Sequence, residues 1–191
     1  AMAMLGLIAM VTPILYKKAA ERTTELQDIN ASNQLRILAN AMDSYIKDNF
    51  TRINDGETVV NSCNVGSMDY SGFTDTTSVS FDISHLCEYL PYGFLKDGKT
   101  QDSKLFSSAN PSFQVVLRKT TGTELDENNQ PVVVAETVTG FLTAVPNEGE
   151  DFPSTRVSRI ATMVGSNGGY VEDDGEIMGA QGIWSLPNTS E

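Results

Sequence analysis

The first fifty residues carry the most regular pattern of apolar and polar positions in the chain. They open with sixteen uncharged residues, AMAMLGLIAMVTPILY, and continue as a charged but helix-favouring stretch up to Phe50. In that stretch apolar residues recur at a spacing of three and four, which places their side chains on one face of a helix. This stripe consists of Leu35, Leu38, Met42, Tyr45 and Ile46, with Leu26 and Ile29 extending it upstream. The pattern predicts one helix with an apolar end and an amphipathic end.

Pro13 lies inside this predicted helix and is the only proline before Pro91. Because the helical pattern resumes after it, Pro13 is expected to kink the helix rather than to end it. A continuous helix of about fifty residues would be about 75 Å long. The uncharged run alone is shorter than the ~20 residues that a bilayer crossing needs. A cleaved signal peptide is disfavoured, because no basic region precedes the apolar run.

The pattern changes after Thr51. Residues 51–80 are rich in Gly, Ser, Thr, Asn and Asp, which indicates loops and short strands. A short helix is predicted over Ser84–Leu90, ended by Pro91. Phe113–Thr120 and Pro131–Val145 are both rich in β-branched residues, so we expect them to pair as an antiparallel hairpin with a long polar tip.

A second helix is predicted after residue 153. Ser154 is its N-cap and Gly165 its C-cap, and the apolar face consists of Val157, Ile160, Ala161 and Val164. The tail then predicts two final strands joined by the acidic turn EDDGE. Together these elements predict an α+β fold, in which residues 1–50 form the long helix and residues 51–191 form one globular head of ordinary domain size.

The charge of the chain is concentrated in the predicted head. The 191 residues carry a formal net charge of −12. The first fifty residues are neutral, so the remainder holds eight Lys and Arg against twenty Asp and Glu. An acidic surface repels phosphate backbones, and nucleic acid is therefore excluded as an expected partner. Acidity also favours solubility, and this alone accounts for the charge.

Both cysteines, Cys63 and Cys87, lie in the predicted head. In a membrane-tethered chain that faces an oxidising compartment they would pair and close a loop of about 25 residues, worth roughly 3.5 kcal/mol in the chain-entropy model. The alternative is two buried free thiols, because two cysteines alone specify little. A disulfide would indicate that the head functions outside the cytoplasm.

Residues 93–100, GFLKDGKT, match the phosphate-binding pattern G-x-x-x-x-G-K-[ST] literally. That pattern functions where a strand delivers the loop to the N-terminus of a helix. Here Pro91 interrupts the preceding segment, and the polar residues that follow Thr100 do not predict a packed helix. A solvated turn that contains Lys99 is the expected structure.

His85 is the only histidine, so multi-histidine zinc sites and a Ser-His-Asp triad lack the residues that they need. The patterns G-x-S-x-G and G-x-G-x-x-G do not occur. An acidic cluster could supply oxygen ligands to Ca²⁺, although its spacing is not that of an EF-hand and a charged turn is the commoner arrangement. The cluster consists of Glu172, Asp173, Asp174 and Glu176. We therefore expect a protein that is not an enzyme and has no cofactor.

The apolar N-terminal helix with an internal proline, the charged continuation and the acidic αβ head resemble type IV pilins and pseudopilins. Three segments resemble more narrowly the constant region of shufflon-type PilV minor pilins, which are type IVb pilins of conjugative thin pili. These segments are AMDSYIKDN (41–49), RIATMVGSNGGYV (159–171) and GAQGIWSLP (179–187). The resemblance implies a pilin-like fold, in which the long helix packs on an antiparallel sheet with one or two additional short helices.

The resemblance also implies roles for individual residues. The apolar arm would rest in the bacterial inner membrane and then pack against other pilin subunits in the core of an extracellular filament, with Pro13 allowing a bend. The core and membrane contacts would be made by Leu5, Leu7, Ile8, Met10, Val11, Ile14 and Leu15. The helix would dock on the head through Leu35, Leu38, Met42, Tyr45 and Ile46. A recipient-cell surface receptor is an implied partner.

Two departures from the family pattern affect these expectations. The prepilin leader and the glutamate near the mature N-terminus are not present, so several residues are expected before Ala1. PilV proteins continue beyond the position of Pro187 into a variable tip segment, which bears on adhesive specificity. A type II secretion pseudopilin, a major type IVb pilin and, as a different class, an anchored periplasmic enzyme are the alternatives.

Overall fold

The computed structural model of the chain describes most of the long helix, the central strands and parts of the C-terminal region. The described residues are 2–63, 65–96, 99–100, 112–145, 154–165, 167–171, 177–179 and 185–186. For Met2–Tyr16 only the helical backbone is described. The fold is α+β, with a long N-terminal helix, antiparallel sheets and two short helices.

Helix α1 runs from Met2 to Asn54 and passes through Pro13 without ending, so the predicted continuous helix is confirmed. It extends four residues beyond Phe50, where the sequence predicted its end. Arg52 in the last turn is a favourable charge for a helix C-terminus, where the carbonyl groups carry partial negative charge. Gly56 follows with a φ of +73°, a conformation that glycine adopts at little cost.

A three-stranded antiparallel sheet forms the centre of the head. Strand β3, Ser78–Asp82, pairs with β6, Ser112–Leu125, and β6 pairs with β7, Pro131–Val145. The predicted hairpin is confirmed, but its long polar tip is wrong: β6 continues to Leu125, and only residues 126–130 form the turn. Thr120, Thr121 and Thr123 are β-branched, which favours extension of the strand.

Smaller antiparallel pairs complete this part of the chain. Strands β1, Thr58–Val60, and β2, Ser67–Asp69, form one pair, and β4, Leu95–Lys96, and β5, Lys99–Thr100, form another. The predicted short helix is a 3₁₀ helix, Ile83–Tyr89. Its N-cap is Asp82, whose carboxylate accepts a hydrogen bond from the Ser84 N–H at 2.8 Å.

The C-terminal region contributes helix α2, Ser154–Val164, with Gly165 beyond its end at a φ of +106°. The helix ends before Gly165 as predicted and begins at Ser154, which was predicted as its N-cap. Of the predicted face, Ile160 and Ala161 are buried and Val157 and Val164 are half-buried. A three-stranded antiparallel sheet follows, in the order β10, β9, β8. Where two final strands were predicted, the described residues form three: β8, Gly169–Val171; β9, Ile177–Gly179; and β10, Ser185–Leu186.

The described residues fall into two compact units. The first contains α1 as far as Gln34 together with α2 and strands β8 to β10. The second contains α1 from Leu35 onward, strands β1 to β7 and the 3₁₀ helix. Each unit has buried residues of its own, and helix α1 contributes to both.

Candidate functional site

The part of α1 that belongs to the second unit lies directly on strand β7, at Gly140. A Cβ atom placed on Gly140 would lie 2.6 Å from Met42 Sδ and 2.8 Å from Ile46 Cδ1. These distances are shorter than a side chain adopts in a packed protein, so a residue without a side chain allows the helix to approach the sheet here. Met42 and Ile46 are buried, and the predicted stripe therefore meets the sheet at this point.

Four of the five residues predicted to dock α1 on the head are buried. Leu38 is fully buried, with 0% of its surface exposed, and Met42, Tyr45 and Ile46 lie on the same face of the helix. Leu35 is half-buried and precedes them. Burial of such a stripe removes apolar surface from water, worth about 25 cal/mol per Å².

The upstream extension of the stripe to Leu26 and Ile29 is wrong. These side chains are 62% and 39% exposed, respectively. The buried face of α1 in the first unit is instead made by Asp28, Ala31 and Ser32, which are small or charged residues. The apolar spacing alone therefore assigned the wrong face to this part of the helix.

An aromatic cluster fixes α1 within the second unit. Tyr45 and Tyr70 share a hydrogen bond of 2.8 Å between their hydroxyl groups, and both rings are buried. The Tyr45 ring also contacts Phe81 at a centroid distance of 5.4 Å and Tyr89, edge-on, at 5.8 Å. Burial raises the pKa of Tyr45 and the pKa of Tyr70, so both phenols stay neutral at physiological pH.

The C-terminus of α1 is tied to the hairpin by charged groups. The Lys119 ammonium donates a hydrogen bond to the Asn54 carbonyl at 3.0 Å and lies 3.6 Å from the Glu136 carboxylate. Glu136 also accepts a hydrogen bond from the Asn54 side-chain amide. A cation at a helix C-terminus is favourable, because the carbonyl groups there carry partial negative charge.

The structure joins Cys63 and Cys87 in a disulfide, as predicted from their number and setting. The bond links the segment after β1 to the 3₁₀ helix, and two further contacts lie beside it. Glu88 accepts a hydrogen bond from the Ser62 N–H. Hydrogen bonding by the Ser62 side chain, and after it by this N–H, lowers the pKa of the Glu88 carboxyl group. Asn61 donates its amide N–H to His85 Nδ1 at 3.1 Å.

A buried ion-pair cluster occupies the first unit, and sequence reasoning missed it. Asp28 of α1 is 0% exposed. Its Oδ1 accepts hydrogen bonds from Arg156 Nε at 2.9 Å and Arg156 Nη2 at 2.7 Å, and its Oδ2 accepts one from Arg159 Nη2. Arginines three residues apart on a helix lie on the same face. This spacing on α2, together with an acidic residue near the small Ala31 on α1, was the available sequence signal for the ion pair.

The structure places two of the sequence-predicted motifs of the head. Lys99 and Thr100 form a strand paired with Leu95 and Lys96, in the position where a phosphate-binding loop would need a helix. His85 lies on the 3₁₀ helix against the Phe81 ring, with centroids 5.7 Å apart. The four acidic residues considered for calcium lie outside the described residues.

Two kinds of feature are absent from the part of the chain that the structure describes. Within it, no helix is both long and apolar enough to cross a membrane. No group of three or more His, Cys, Asp or Glu side chains within that part is arranged to hold a metal ion. The side chains predicted for the filament core lie outside the described residues: Leu5, Leu7, Ile8, Met10, Val11, Pro13, Ile14 and Leu15.

Four exposed apolar side chains lie at the distal end of the β6–β7 hairpin. We call residues 121–136 the hairpin arm. Val132, Val133 and Val134 are 46%, 54% and 54% exposed, and Leu125 on the opposite strand is 64% exposed. Beside the base of the arm, a polar depression of about 260 Å³ is lined by Asp75–Ser78 and Arg118–Thr120. Its walls lack the apolar side chains that usually line small-molecule pockets.

Comparisons of the chain with protein-family models, with curated proteins and with solved structures give no match. The chain's function is therefore inferred from the long helix, the surfaces just described and the residues that carry the resemblance to pilins.

Proposed function

We propose that the chain is a subunit of a type IV pilus-like filament, and in particular a minor pilin of the PilV type that acts at or near the pilus tip and contributes to recipient-cell contact. In this proposal the subunit is held in the bacterial inner membrane before assembly and becomes part of an extracellular filament afterwards. Its partners are other pilin subunits and a receptor on the recipient cell.

One observation carries the proposal. Helix α1 is a single element of 53 residues whose last third buries one face against an antiparallel sheet, while its first sixteen residues are uncharged in sequence. A helix of that length reaches about 80 Å, far beyond what one small domain can cover. The apolar end therefore needs other apolar surroundings, and lipid followed by neighbouring helices would supply them.

The disulfide of the head and three sequence segments support the proposal. The disulfide is typical of proteins that work in oxidising compartments. An anchored periplasmic enzyme would share this bond, so the segments quoted for the PilV resemblance, 41–49, 159–171 and 179–187, are what favour a filament subunit over it.

Shearing of surface filaments tests the proposal. Cells that produce the full chain with a small C-terminal epitope are sheared, and the pelleted filaments are blotted for the epitope. The proposal expects the chain in the filament pellet at a small fraction of the major subunit, and expects recipient mating to fall when the gene is deleted. Retention in the envelope fraction would favour a type II secretion pseudopilin instead. If the chain itself made up most of the protein in the pelleted filaments, it would be a major pilin.

A deletion of residues 1–16 supplies the sharper arm of this test. The shortened chain should be produced and should form the Cys63–Cys87 bond, yet be absent from the pelleted filaments. The matched control is the exchange Leu26→Ala, which removes an exposed side chain of the same helix outside the deleted run. Entry of the shortened chain at the level of the full chain would overturn the proposal.

A further inference from the structure

The hairpin arm is a two-stranded element that extends past the rest of its sheet. Strand β3 pairs with β6 only as far as the Ser78–Arg118 pair, so beyond this point the described strands give β6 and β7 no neighbour but each other. Helix α1 ends at Asn54, whose carbonyl binds Lys119 at the base of the arm. Neither α1 nor a third described strand therefore pairs with or covers the distal part of the arm.

The arm is held in shape by its own turn. Asp126 Oδ1 accepts hydrogen bonds from the N–H groups of Asn128 and Gln130, both at 2.8 Å. Asn129 takes a φ of +62°, a conformation that asparagine tolerates better than most residues. A defined turn fixes the register of the two strands, so the exposed side chains are presented in a fixed arrangement.

The exposed apolar side chains of the arm lie on both of its faces. Thr123 pairs with Val133 and Leu125 pairs with Pro131, which places Leu125 and Val133 on one face. Val132 pairs with Glu124 and lies on the other face. Because isolated two-stranded hairpins are only marginally stable in water, additional apolar contacts would stabilise this element.

The charges and the backbone of the arm disfavour pairing with an identical arm. Residues 121–145 contain no Lys or Arg, while the arm carries Glu124, Asp126, Glu127 and Glu136. Two such arms side by side would bring like charges together. Pro131 at the start of β7 and the shift in register at Val134 both limit pairing along the β7 edge, whereas the β6 edge beyond Arg118 has no neighbour among the described strands.

We infer that the hairpin arm is a docking site for an extended segment of a different protein, with apolar side chains at alternate positions and Lys or Arg at its ends. In an extended segment alternate side chains lie on one face, where they would pack on Leu125 and Val133, and the basic ends complement the acidic residues of the arm. The same acidity disfavours anionic lipid surfaces and nucleic acid. This inference does not depend on filament assembly, because it concerns only the arm.

Synthetic peptides serve as the probes. The first has the sequence KKVTVTVKK, the second EEVTVTVEE, and the third KKSTSTSKK, which keeps the basic ends and removes the apolar positions. Each is labelled and titrated with the full chain of 191 residues in a nonionic detergent, and binding is followed by fluorescence anisotropy. We expect saturable binding of the first peptide with a Kd below about 1 mM, and binding at least about tenfold weaker for the other two.

Variants of the arm locate the site. The triple exchange Val132→Thr, Val133→Thr and Val134→Thr keeps β-branched residues on the strand and should weaken binding of the first peptide at least about tenfold. The exchange Glu124→Gln with Glu127→Gln should weaken it about threefold and flatten its salt dependence. The matched control is Val60→Thr, which alters an exposed valine on strand β1 and should leave binding unchanged.

The outcomes separate cleanly. Equal binding of the first and third peptides, or equal loss in the Val60 control and the arm triple variant, would overturn the inference. Arm-dependent dimerisation without peptide would also overturn it, since the occupant would then be a second copy. If the triple variant fails to fold, as judged by circular dichroism, the glutamine variant decides by its salt dependence. Absence of the chain from filaments would contradict the proposed function and leave these binding results unaffected.

Discussion

Helix α1 is held by opposite kinds of contact in its two parts. In the second unit an apolar stripe that includes Leu38 and Met42 is buried on the sheet, and Gly140 allows the close approach. In the first unit the buried position is Asp28, a carboxylate bound by two arginines. The same helix therefore buries Leu38 in one part and Asp28 in the other. Leu26, two residues before Asp28, is exposed.

The two parts of α1 show that one helix can be packed by two different kinds of contact. Apolar burial is non-directional and tolerates a stripe of similar residues, so it leaves a clear periodic signal. A buried ion pair depends on a few exact partners and its desolvation is costly, so it contributes specificity of alignment more than net stability. We interpret the Asp28 cluster as the contact that fixes the position of α2 on this part of α1.

The largest expected effect comes from the same substitution placed in the two parts. Leu38→Ala removes a fully buried side chain and should lower the free energy of unfolding by about 3–4 kcal/mol, through lost burial and the cavity left behind. Leu26→Ala removes a side chain that is 62% exposed and should change it by less than about 0.5 kcal/mol. Urea unfolding of the full chain in nonionic detergent, followed by circular dichroism, measures both.

Equal losses for these two substitutions would contradict the comparison. They would mean that the buried stripe continues to Leu26, as the spacing alone predicted, and that the Leu26 side chain is not exposed.

The next effect tests the ionic contact. Asp28→Asn removes the charge that balances Arg156, whose side chain is only 13% exposed, and breaking a buried pair in this way should cost about 3 kcal/mol. Asp43→Asn on the same helix alters an exposed carboxylate and serves as the matched control, with a change below about 0.5 kcal/mol. The same urea series gives both values.

A compound variant sharpens this result. Replacement of the cluster by Asp28→Leu, Arg156→Met and Arg159→Leu should recover most of the stability lost in Asp28→Asn, because the buried charges are then removed together. A compound variant as unstable as the single one would show that the hydrogen bonds themselves, rather than an unbalanced charge, stabilise this contact.

Sequence reasoning predicted the elements whose signal lies in local spacing. The long helix, the β6–β7 pairing and helix α2 follow from runs of residues that alternate or recur on one face. The Cys63–Cys87 bond was expected only on the assumption of an oxidising compartment, since two cysteines alone specify little. The continuation of β6 to Leu125 was missed because TGTEL contains a glycine and polar residues that are equally common in turns. Cross-strand pairing with the Val132–Val134 run supplies the missing preference.

The candidate surfaces were less predictable. The contact of Asp28 with Arg156 spans 128 residues of sequence, and nothing local marks Asp28 among the other acidic residues of α1. Exposure of the arm was equally hidden, since a run of three valines is typical of a buried strand. Both depend on where the neighbouring elements end, which is a property of the tertiary fold.

A smaller effect is expected at the helix–sheet contact. Gly140→Ala places a methyl group against Met42 and Ile46, and should destabilise the head by about 1–2 kcal/mol, since the flexible Met42 side chain can shift in part. Combination with Ile46→Val, which removes the Cδ1 atom involved, should recover part of this loss. Gly122→Ala is the control on the same hairpin, because its nearest neighbour would be the Ala135 Cβ at 3.6 Å, an ordinary contact. A similar loss at both glycines would refute the close approach of α1 to β7.

The smallest expected effect is a pH dependence at His85. Burial lowers the pKa of His85 despite the opposing influence of Asp82, and Asn61 donates to Nδ1, which must stay unprotonated to accept this bond. The unfolded chain therefore takes up a proton near the ordinary pKa of about 6.5 while the folded chain does not, so stability falls as the pH drops below about 6.5.

Urea unfolding at pH 7.5 and pH 5.5 should show a greater loss on acidification for the parent chain than for His85→Gln, which has no titrating ring. Because carboxylates titrate in both chains, only the difference between the two reports on His85. A difference of zero, or one of opposite sign, would show that the ring is solvated and that its bond to Asn61 contributes nothing to the disulfide-linked segment.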